Sequence, residues 1–222
     1  MIERVYAQAK KAKSLAEVIV ATDDDAIFAK VKSFGGKVCL TSPAHPSGTD
    51  RCAEAMDTMN IICDAIINIQ GDEPFIDPGQ IDLLCSCFHD SRTDLATLVK
   101  KIVSREVLFS PNSPKVIVDR DQFAIYFSRH PIPYIRGFEF ENWLDKHTFL
   151  QHIGIYGYRT EILKKITRLP PSSLEKAESL EQLRWLENGF RIKTAITKFD
   201  TIAIDTPEDL KKILLEGLGR KV

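Results

Sequence analysis

Along the first half of this 222-residue chain, apolar positions alternate between helical and strand-like spacing. In residues 2–13, Val5, Tyr6 and Ala9 recur at helical intervals among Lys and Glu, which predicts an amphipathic helix. Residues 17–22 form a short β-branched run and predict a strand. The acidic Asp23-Asp24-Asp25 then opens a helix running to Phe34, closed by Gly35-Gly36. Residues 37–41 read as a strand, 42–48 as a loop, and 49–59 as a helix capped by Thr49. Residues 65–70 are apolar at nearly every position, the pattern of a parallel strand covered on both faces, and end in Gly71-Asp72-Glu73-Pro74. A helix over 78–89 and a strand over 95–103 complete the alternation. The class expected is α/β, with a Rossmann-like, open, mainly parallel twisted sheet carrying helices on both faces.

The rhythm changes after residue 110. Residues 115–119 and 123–127 are short β runs around Asp119-Arg120-Asp121, which predicts an antiparallel hairpin and hence a small β insertion. Residues 128–148 carry aromatic residues and mixed charge with little period, the mark of a long excursion that bears function or meets a second subunit. Strands are expected over 150–158 and 191–197, helices over 159–166 and 179–188. A strand over 201–205 then leads through Pro207 into a closing helix. The expected organisation is a single domain over 1–222: a Rossmann-like half over 1–110, which the family resemblance given below implies is nucleotide-binding, the β insertion over 111–160, and C-terminal helices with the closing strand over 161–222.

Composition removes several function classes. Thirty Lys and Arg stand against thirty-one Asp and Glu, a formal net charge of −1, so no bulk basic surface exists to coat nucleic acid. No apolar stretch reaches the ~18–20 residues of a membrane span, and the N-terminus lacks a signal-peptide pattern, so the expected compartment is the cytoplasm. Cys39, Cys52, Cys63, Cys85 and Cys87 are odd in number and lack zinc-site spacing; they read as small buried hydrophobes in a reducing cell.

Two aspartates share one context: Asp72 follows the apolar strand ending at Gln70, and Asp205 follows the run 201–204. Ligand crevices of open α/β sheets lie beyond the carboxyl ends of strands. There the two carboxylates would suit magnesium, which takes one or two of them together with phosphate oxygens and water. Equally, Asp72 starts a turn and Asp205 caps a helix. The loop before residue 51 offers Gly48 for close backbone approach, with Ser47, Thr49 and Arg51 as donors for a base or an anion; the same residues make an ordinary loop and cap. Period two sets His152, Gly154 and Tyr156 on one strand face, and two glycines in a strand mark a close approach or a bulge. Glu181 and Gln182 flank an apolar helix face. Gly-rich phosphate signatures and a nucleophile elbow are absent from the sequence.

Taken in order, His45-Pro-Ser-Gly-Thr-Asp-Arg51, Asn68-Ile-Gln-Gly-Asp-Glu-Pro74, Ala124-Ile-Tyr-Phe-Ser-Arg129, His152-Ile-Gly-Ile-Tyr-Gly-Tyr-Arg159, Leu180-Glu-Gln-Leu-Arg184 and Ile204-Asp-Thr-Pro-Glu-Asp-Leu210 resemble the 3-deoxy-manno-octulosonate cytidylyltransferases, or CMP-KDO synthetases, across essentially the whole chain. The resemblance implies a nucleotidyltransferase fold and attack of a sugar hydroxyl on the α-phosphate of CTP. The products would be pyrophosphate and CMP-3-deoxy-D-manno-octulosonate for lipopolysaccharide biosynthesis. It implies Mg2+ held by Asp72 and Asp205 as the catalytic pair. It also implies nucleotide contacts from Ser47, Gly48, Thr49, Arg51 and Gln70. Gln70, Arg129, His152, Tyr156, Glu181 and Gln182 would contact the sugar acid. It implies a homodimer, for which Tyr134, Phe138, Phe140 and Trp143 in the excursion are candidate contacts; the same excursion would otherwise fold onto its own domain.

One departure matters. Members of that family begin with a strand and an Arg, Ser and Lys loop that grips the triphosphate, whereas Met1 to Tyr6 here matches the inside of the following helix. In a Rossmann-like order that strand is central. Residues 18–21 and 66–69 are therefore expected to face an unpaired gap, the sequence to start at an internal methionine, and the chain alone to be poorly folded or inactive. Two alternatives go with this: a non-catalytic nucleotide and sugar-acid binding module that lost the triphosphate loop, and a cytidylyltransferase acting on sialic acid.

Overall fold

A computed structural model describes residues 1–199. Two compact units divide the described residues, one formed by residues 1–63 and 68–82 with Phe199, the other by 64–67 and 83–198.

The first unit holds the opening α/β alternation. Helix α1 (Ile2–Ala9) buries Val5 and Ala9, and the Tyr6 ring meets Phe34 at 5.4 Å. Strand β1 (Ile19–Thr22) leads through Asp24, whose carboxylate caps the Ile27 N–H, into α2 (Asp25–Ser33). Gly35 turns the chain at φ +74°, a conformation that strains any residue with a Cβ. Strand β2 (Lys37–Leu40) follows and pairs with β1 in parallel, from Ile19 opposite Lys37 to Thr22 opposite Leu40. Helix α3 (Gly48–Thr58) starts one residue earlier than expected and is capped by Ser47, not Thr49. Ser47 has the extended backbone of an N-cap, whereas Thr49 is already helical and buried. Helices α2 and α3 both pack on β1 and β2.

Strand β3 (Ala65–Asn68) and helix α4 (Pro78–Ser86) straddle the division. The second unit continues with β4 (Leu95–Lys101), α5 (Arg105–Phe109), β5 (Lys115–Val118), β6 (Ala124–Ser128), α6 (Trp143–Lys146), β7 (Leu150–Arg159), α7 (Thr160–Ile166), α8 (Ser173–Glu178), α9 (Glu181–Glu187) and β8 (Ile192–Ile196). Its sheet runs β6-β5-β7-β4-β8, with β3 pairing β7. The α/β class holds, but the ladders are mixed: β4 with β8 is parallel, while β4 with β7, β5 with β6 and β5 with β7 are antiparallel. The hairpin β5–β6 forms as expected and extends this sheet through β5 and β7. Among the described residues β1 pairs only with β2 and β3 only with β7.

The excursion folds onto its own unit. Trp143, expected as an interface candidate, is fully buried beside Ile102, Leu108 and Phe149, and stacks on Phe149 at 6.0 Å and 7°. Its indole N–H donates to Phe138 O at 3.1 Å. Tyr134, Phe138 and Phe140 stay exposed. Helix α8, which periodicity did not reveal, begins with a reciprocal Ser172–Glu175 capping box and ends at Ser179 in the left-handed conformation, so the next helix starts at Glu181 and not 179. The five cysteines form no disulfide; Cys39 and Cys87 are buried, while Cys52, Cys63 and Cys85 are half-buried, short of the full burial expected. Asp205, Pro207 and the elements expected over 201–222 lie outside the described residues. No helix among the described residues is long and apolar enough to cross a membrane.

Candidate active site

The residues expected to meet a nucleotide gather in the first unit. Ser47 caps α3 by accepting from Asp50 N at 3.2 Å, and its hydroxyl donates to Asp50 Oδ2 at 2.6 Å. Arg51, one turn on, donates from Nη1 to Thr41 Oγ1 at 2.7 Å and pairs with Asp23 at 3.0 Å. Asp23 and Thr41 are the residues just past the carboxyl ends of β1 and β2, so Arg51 sits where an open α/β sheet forms its crevice. A Cβ on Gly48 would stand 3.3 Å from Asn68 Nδ2 and 3.8 Å from Gln70 Nε2, so the start of α3 lies directly against the end of β3. Gln70 is exposed; Asp72, half-buried, lies in the turn that follows, where Glu73 N donates to Gln70 O. Two strand ends, one helix start and the β3 turn thus bring Gly48, Gln70 and Arg51 into one region of this unit.

Of the residues expected to meet a sugar acid, Arg129, His152, Tyr156, Glu181 and Gln182 belong to the second unit and Gln70 to the first. Strands β4 and β7 pair from Leu95 opposite Tyr158 to Thr97 opposite Tyr156, then resume at Leu98 opposite Ile153. Gly154 and Ile155 are therefore extra residues on β7, a bulge. Four residues of regular strand span ~13 Å, yet the rings of His152 and Tyr156 lie 5.2 Å apart. The bulge brings them together. Gly154 is exposed there with open space where a Cβ would stand, whereas a Cβ on Gly157 would come within 2.7 Å of Phe88 and 2.9 Å of Ile67. Of the two strand glycines, the core requires Gly157 and the bulge holds Gly154.

His152 is buried, edge-on to Phe127 at 5.3 Å, with Nε2 3.0 Å from Thr97 Oγ1. Burial pushes its pKa down to about 3, so the ring is neutral at physiological pH. The Tyr156 phenol is pushed well up by burial, with Tyr158 and Glu181 adding to the rise. Tyr156 Oη, Gln182 Nε2 and Trp185 Nε1 are all buried without a hydrogen-bond partner, and the Tyr156 and Trp185 rings meet at 5.1 Å and 88°. Buried polar groups are normally satisfied; on β7 and α9 these three atoms, together with Arg184 Nε, lack a hydrogen-bond partner. Glu181 accepts from Arg184 at 2.6 Å.

Arg129 has a different setting. It donates from Nε to Glu178 O at 2.6 Å, from Nη1 to Pro111 O at 2.9 Å and from Nη2 to Ser179 O at 3.0 Å. Its backbone N–H and the Ser128 hydroxyl both donate to the Glu178 carboxylate. Arg129 therefore fixes the end of α8 and the entry to α9, which carries Glu181 and Gln182, and keeps further guanidinium N–H donors for a ligand.

The cytidylyltransferase family model matches residues 1–198. The chain belongs to the cytidylyltransferase family. A 3-deoxy-manno-octulosonate cytidylyltransferase of Parabacteroides distasonis is 56% identical over 218 residues, covering 96% of this chain and 86% of that protein. One of Cytophaga hutchinsonii is 56% identical over 214 residues, covering 96% and 85%. Among solved structures, a CMP:2-keto-3-deoxy-manno-octonic acid synthetase complexed with CTP is 40% identical, covers 99% of this chain and 88% of its own, and superposes with a TM-score of 0.89. A 4-diphosphocytidyl-2C-methyl-D-erythritol synthase of Anaerococcus prevotii, 11% identical with a TM-score of 0.62, shares the fold.

In this cytidylyltransferase the donor chemistry suits a hard cation. Asp72 offers carboxylate oxygen, and magnesium takes one or two carboxylates with phosphate oxygens and water in the remaining positions. No group of three or more His, Cys, Asp or Glu is gathered among the described residues, so a dedicated protein cage of the zinc type does not fit them. Sequence reasoning missed Thr97 and Trp185. Thr97 is the one polar residue in the apolar run from Leu95 to Val99, and Trp185 lies one helical turn beyond Gln182; both signals were visible.

Proposed function

We propose that this chain transfers CMP from CTP to 3-deoxy-D-manno-octulosonate, giving CMP-3-deoxy-D-manno-octulosonate and pyrophosphate for lipopolysaccharide biosynthesis in the cytoplasm. The observation that carries the reading is the set of buried, unpartnered Tyr156, Gln182 and Trp185 polar atoms beside a neutral His152. A polyhydroxylated acid supplies the acceptors and donors that this set lacks, whereas an apolar ligand would leave each group unpaired at about 1–3 kcal/mol. The relatives at 56% identity carry the same activity in their names.

In this reading Ser47, Gly48, Thr49, Arg51 and Gln70 receive the cytidine nucleotide. The Asp50 carboxylate bonded to Ser47 disfavours a phosphate at that loop and leaves the neutral cytosine ring as its better occupant. Arg129, His152, Tyr156, Glu181 and Gln182 orient the sugar acid. The sugar's 2-hydroxyl oxygen forms a bond to the α-phosphorus, the bond to the pyrophosphate oxygen breaks, and the hydroxyl proton passes to solvent. Asp72 and Asp205 would hold Mg2+, which when bound neutralises the polyphosphate so that a second anion can approach. The remaining work is orientation, because aligned reactants gain most of their rate from being held in place. Exposed Tyr134, Phe138 and Phe140, next to a half-exposed Phe109, support a homodimer through this edge of the second unit.

Pyrophosphate release from CTP and the octulosonate, with and without magnesium, tests the reading on wild type, Asp72→Asn and Asp205→Asn. Magnesium-dependent release by wild type, slowed about a hundredfold or more in both variants, is expected. Binding of CMP and the sugar acid with no release would overturn it in favour of a binding module. Turnover of sialic acid in preference to the octulosonate would overturn the substrate.

A further inference from the structure

Thr97 is fully buried in a strand whose other residues from Leu95 to Val99 are apolar. Valine has the same shape and would fill this site with no hydroxyl to satisfy. The hydroxyl is explained by the bulge opposite. With Gly154 and Ile155 extra on β7, the regular pairing with β4 is interrupted here, and a side-chain donor can meet the carbonyls at this point of the ladder. Thr97 Oγ1 lies 2.8 Å from Ile155 O and 3.1 Å from Ile153 O. Both are acceptors only, so they take the hydroxyl's single proton. The remaining neighbour, His152 Nε2 at 3.0 Å, therefore meets a lone pair. Only an N–H suits that contact.

We propose that Thr97 is a positioning residue that fixes His152 as the Nε2–H tautomer, leaving Nδ1 as a bare acceptor for a hydroxyl of the sugar acid. This rests on the reading that His152 meets that substrate. Phe127, edge-on to the imidazole, and Tyr156, tilted against it, hold the ring plane while Thr97 sets its protons. A neutral ring presenting a lone pair attracts a hydroxyl and repels a carboxylate. His152 thus reads a sugar hydroxyl, and the acid group falls to donors such as the Gln182 amide, the Tyr156 phenol and Arg129. The bulge, Thr97 and His152 form one device in which a backbone irregularity two residues long dictates the hydrogen-bond polarity of a side chain.

Nitrogen-15 spectra of the histidine-labelled full chain separate protonated from bare ring nitrogens, with sugar-acid and CTP kinetics measured in parallel. Wild type and Thr97→Ser are expected to show His152 protonated at Nε2, and added sugar acid to shift the bare Nδ1 signal. Thr97→Val is expected to lose the preference and to raise the KM for the sugar acid about tenfold, with the KM for CTP unchanged. A protonated Nδ1 in wild type would overturn the proposal, a result that needs no variant to fold. So would a Thr97→Val enzyme with unchanged tautomer and KM. Wild type that shows the Nε2–H tautomer but neither binds nor turns over the sugar acid would refute the assigned activity and leave the Thr97–His152 arrangement standing.

Discussion

Replacing Tyr156 with Phe should move stability and substrate use in opposite directions. The phenol oxygen is buried and has no hydrogen-bond partner, while the ring meets Trp185 at 5.1 Å and His152 at 5.2 Å. The substitution removes the unsatisfied oxygen and keeps both ring contacts. Leaving a buried hydroxyl unpaired costs about 1–3 kcal/mol, so the ligand-free variant is expected to be more stable by about that amount. For a chain of this size the melting temperature rises by about 2–4 °C per kcal/mol. With the sugar acid bound, the same oxygen makes the bond it lacks in the free protein. Its loss should raise the sugar-acid KM about ten- to hundredfold and leave the KM for CTP in place. Urea or thermal unfolding without ligand gives the first number, and pyrophosphate-release kinetics the second. A variant that is less stable than wild type, or one with an unchanged sugar-acid KM, refutes the claim that this hydroxyl is held for substrate.

Gly48→Val places branched carbons where a Cβ alone would stand 3.3 Å from Asn68; the KM for CTP is expected to rise about tenfold or more through displacement of Gln70 and the loop, and an unchanged value removes Gly48 from the nucleotide site. Substituting both Phe138 and Phe140 with Ser, each about half exposed, should shift sedimentation from dimer to monomer at micromolar concentration; a dimer that persists moves the interface elsewhere. The His152 imidazole, held down at about 3 by burial, returns to about 6.5 in the unfolded chain. Below that value the unfolded state binds a proton that the folded state does not. The folded state is therefore at full advantage above about pH 6.5 and loses up to ~1.4 kcal/mol per pH unit as pH falls from there toward 3. Urea unfolding of wild type and His152→Gln across this range should show the extra slope only in wild type; parallel slopes refute it.

The opening alternation was legible because each element carries its own signal: helical spacing of Val5 and Ala9, the acidic start at Asp24, the apolar run before Gln70. Strand direction was not. The departures from a mainly parallel sheet arise where β7 runs antiparallel to β4 and β5, and pairing partners far apart in the chain leave no periodic trace. Helix α8 was missed although Ser172 and Glu175 spell a capping box, because its six residues are too few to show a period. In the candidate site, His152, Tyr156 and Gln182 were singled out through family resemblance. Thr97 is visible only as a polar residue in an apolar run, because its importance comes from two extra residues on the opposing strand. Trp143 looked like an interface aromatic for a similar reason: nothing local in the sequence says that Phe149 lies beneath it.

The bulge in β7 links fold and chemistry. Without it, His152 and Tyr156 would stand ~13 Å apart along a straight strand, and Thr97 would face a completed ladder. With it, the ladder is interrupted, two rings converge, and a threonine hydroxyl donates to two β7 carbonyls and orients a histidine. The surrounding packing supports this irregularity: Gly157 beside the bulge lets Phe88 and Ile67 close on the backbone, and Tyr158 and Trp185 are fully buried alongside. A core this closely filled can tolerate a few unsatisfied polar atoms, since large opposing terms elsewhere dominate stability. Those atoms are what an incoming polyol acid would complete, so the unmet hydrogen bonds of the free protein are available as binding energy once substrate arrives.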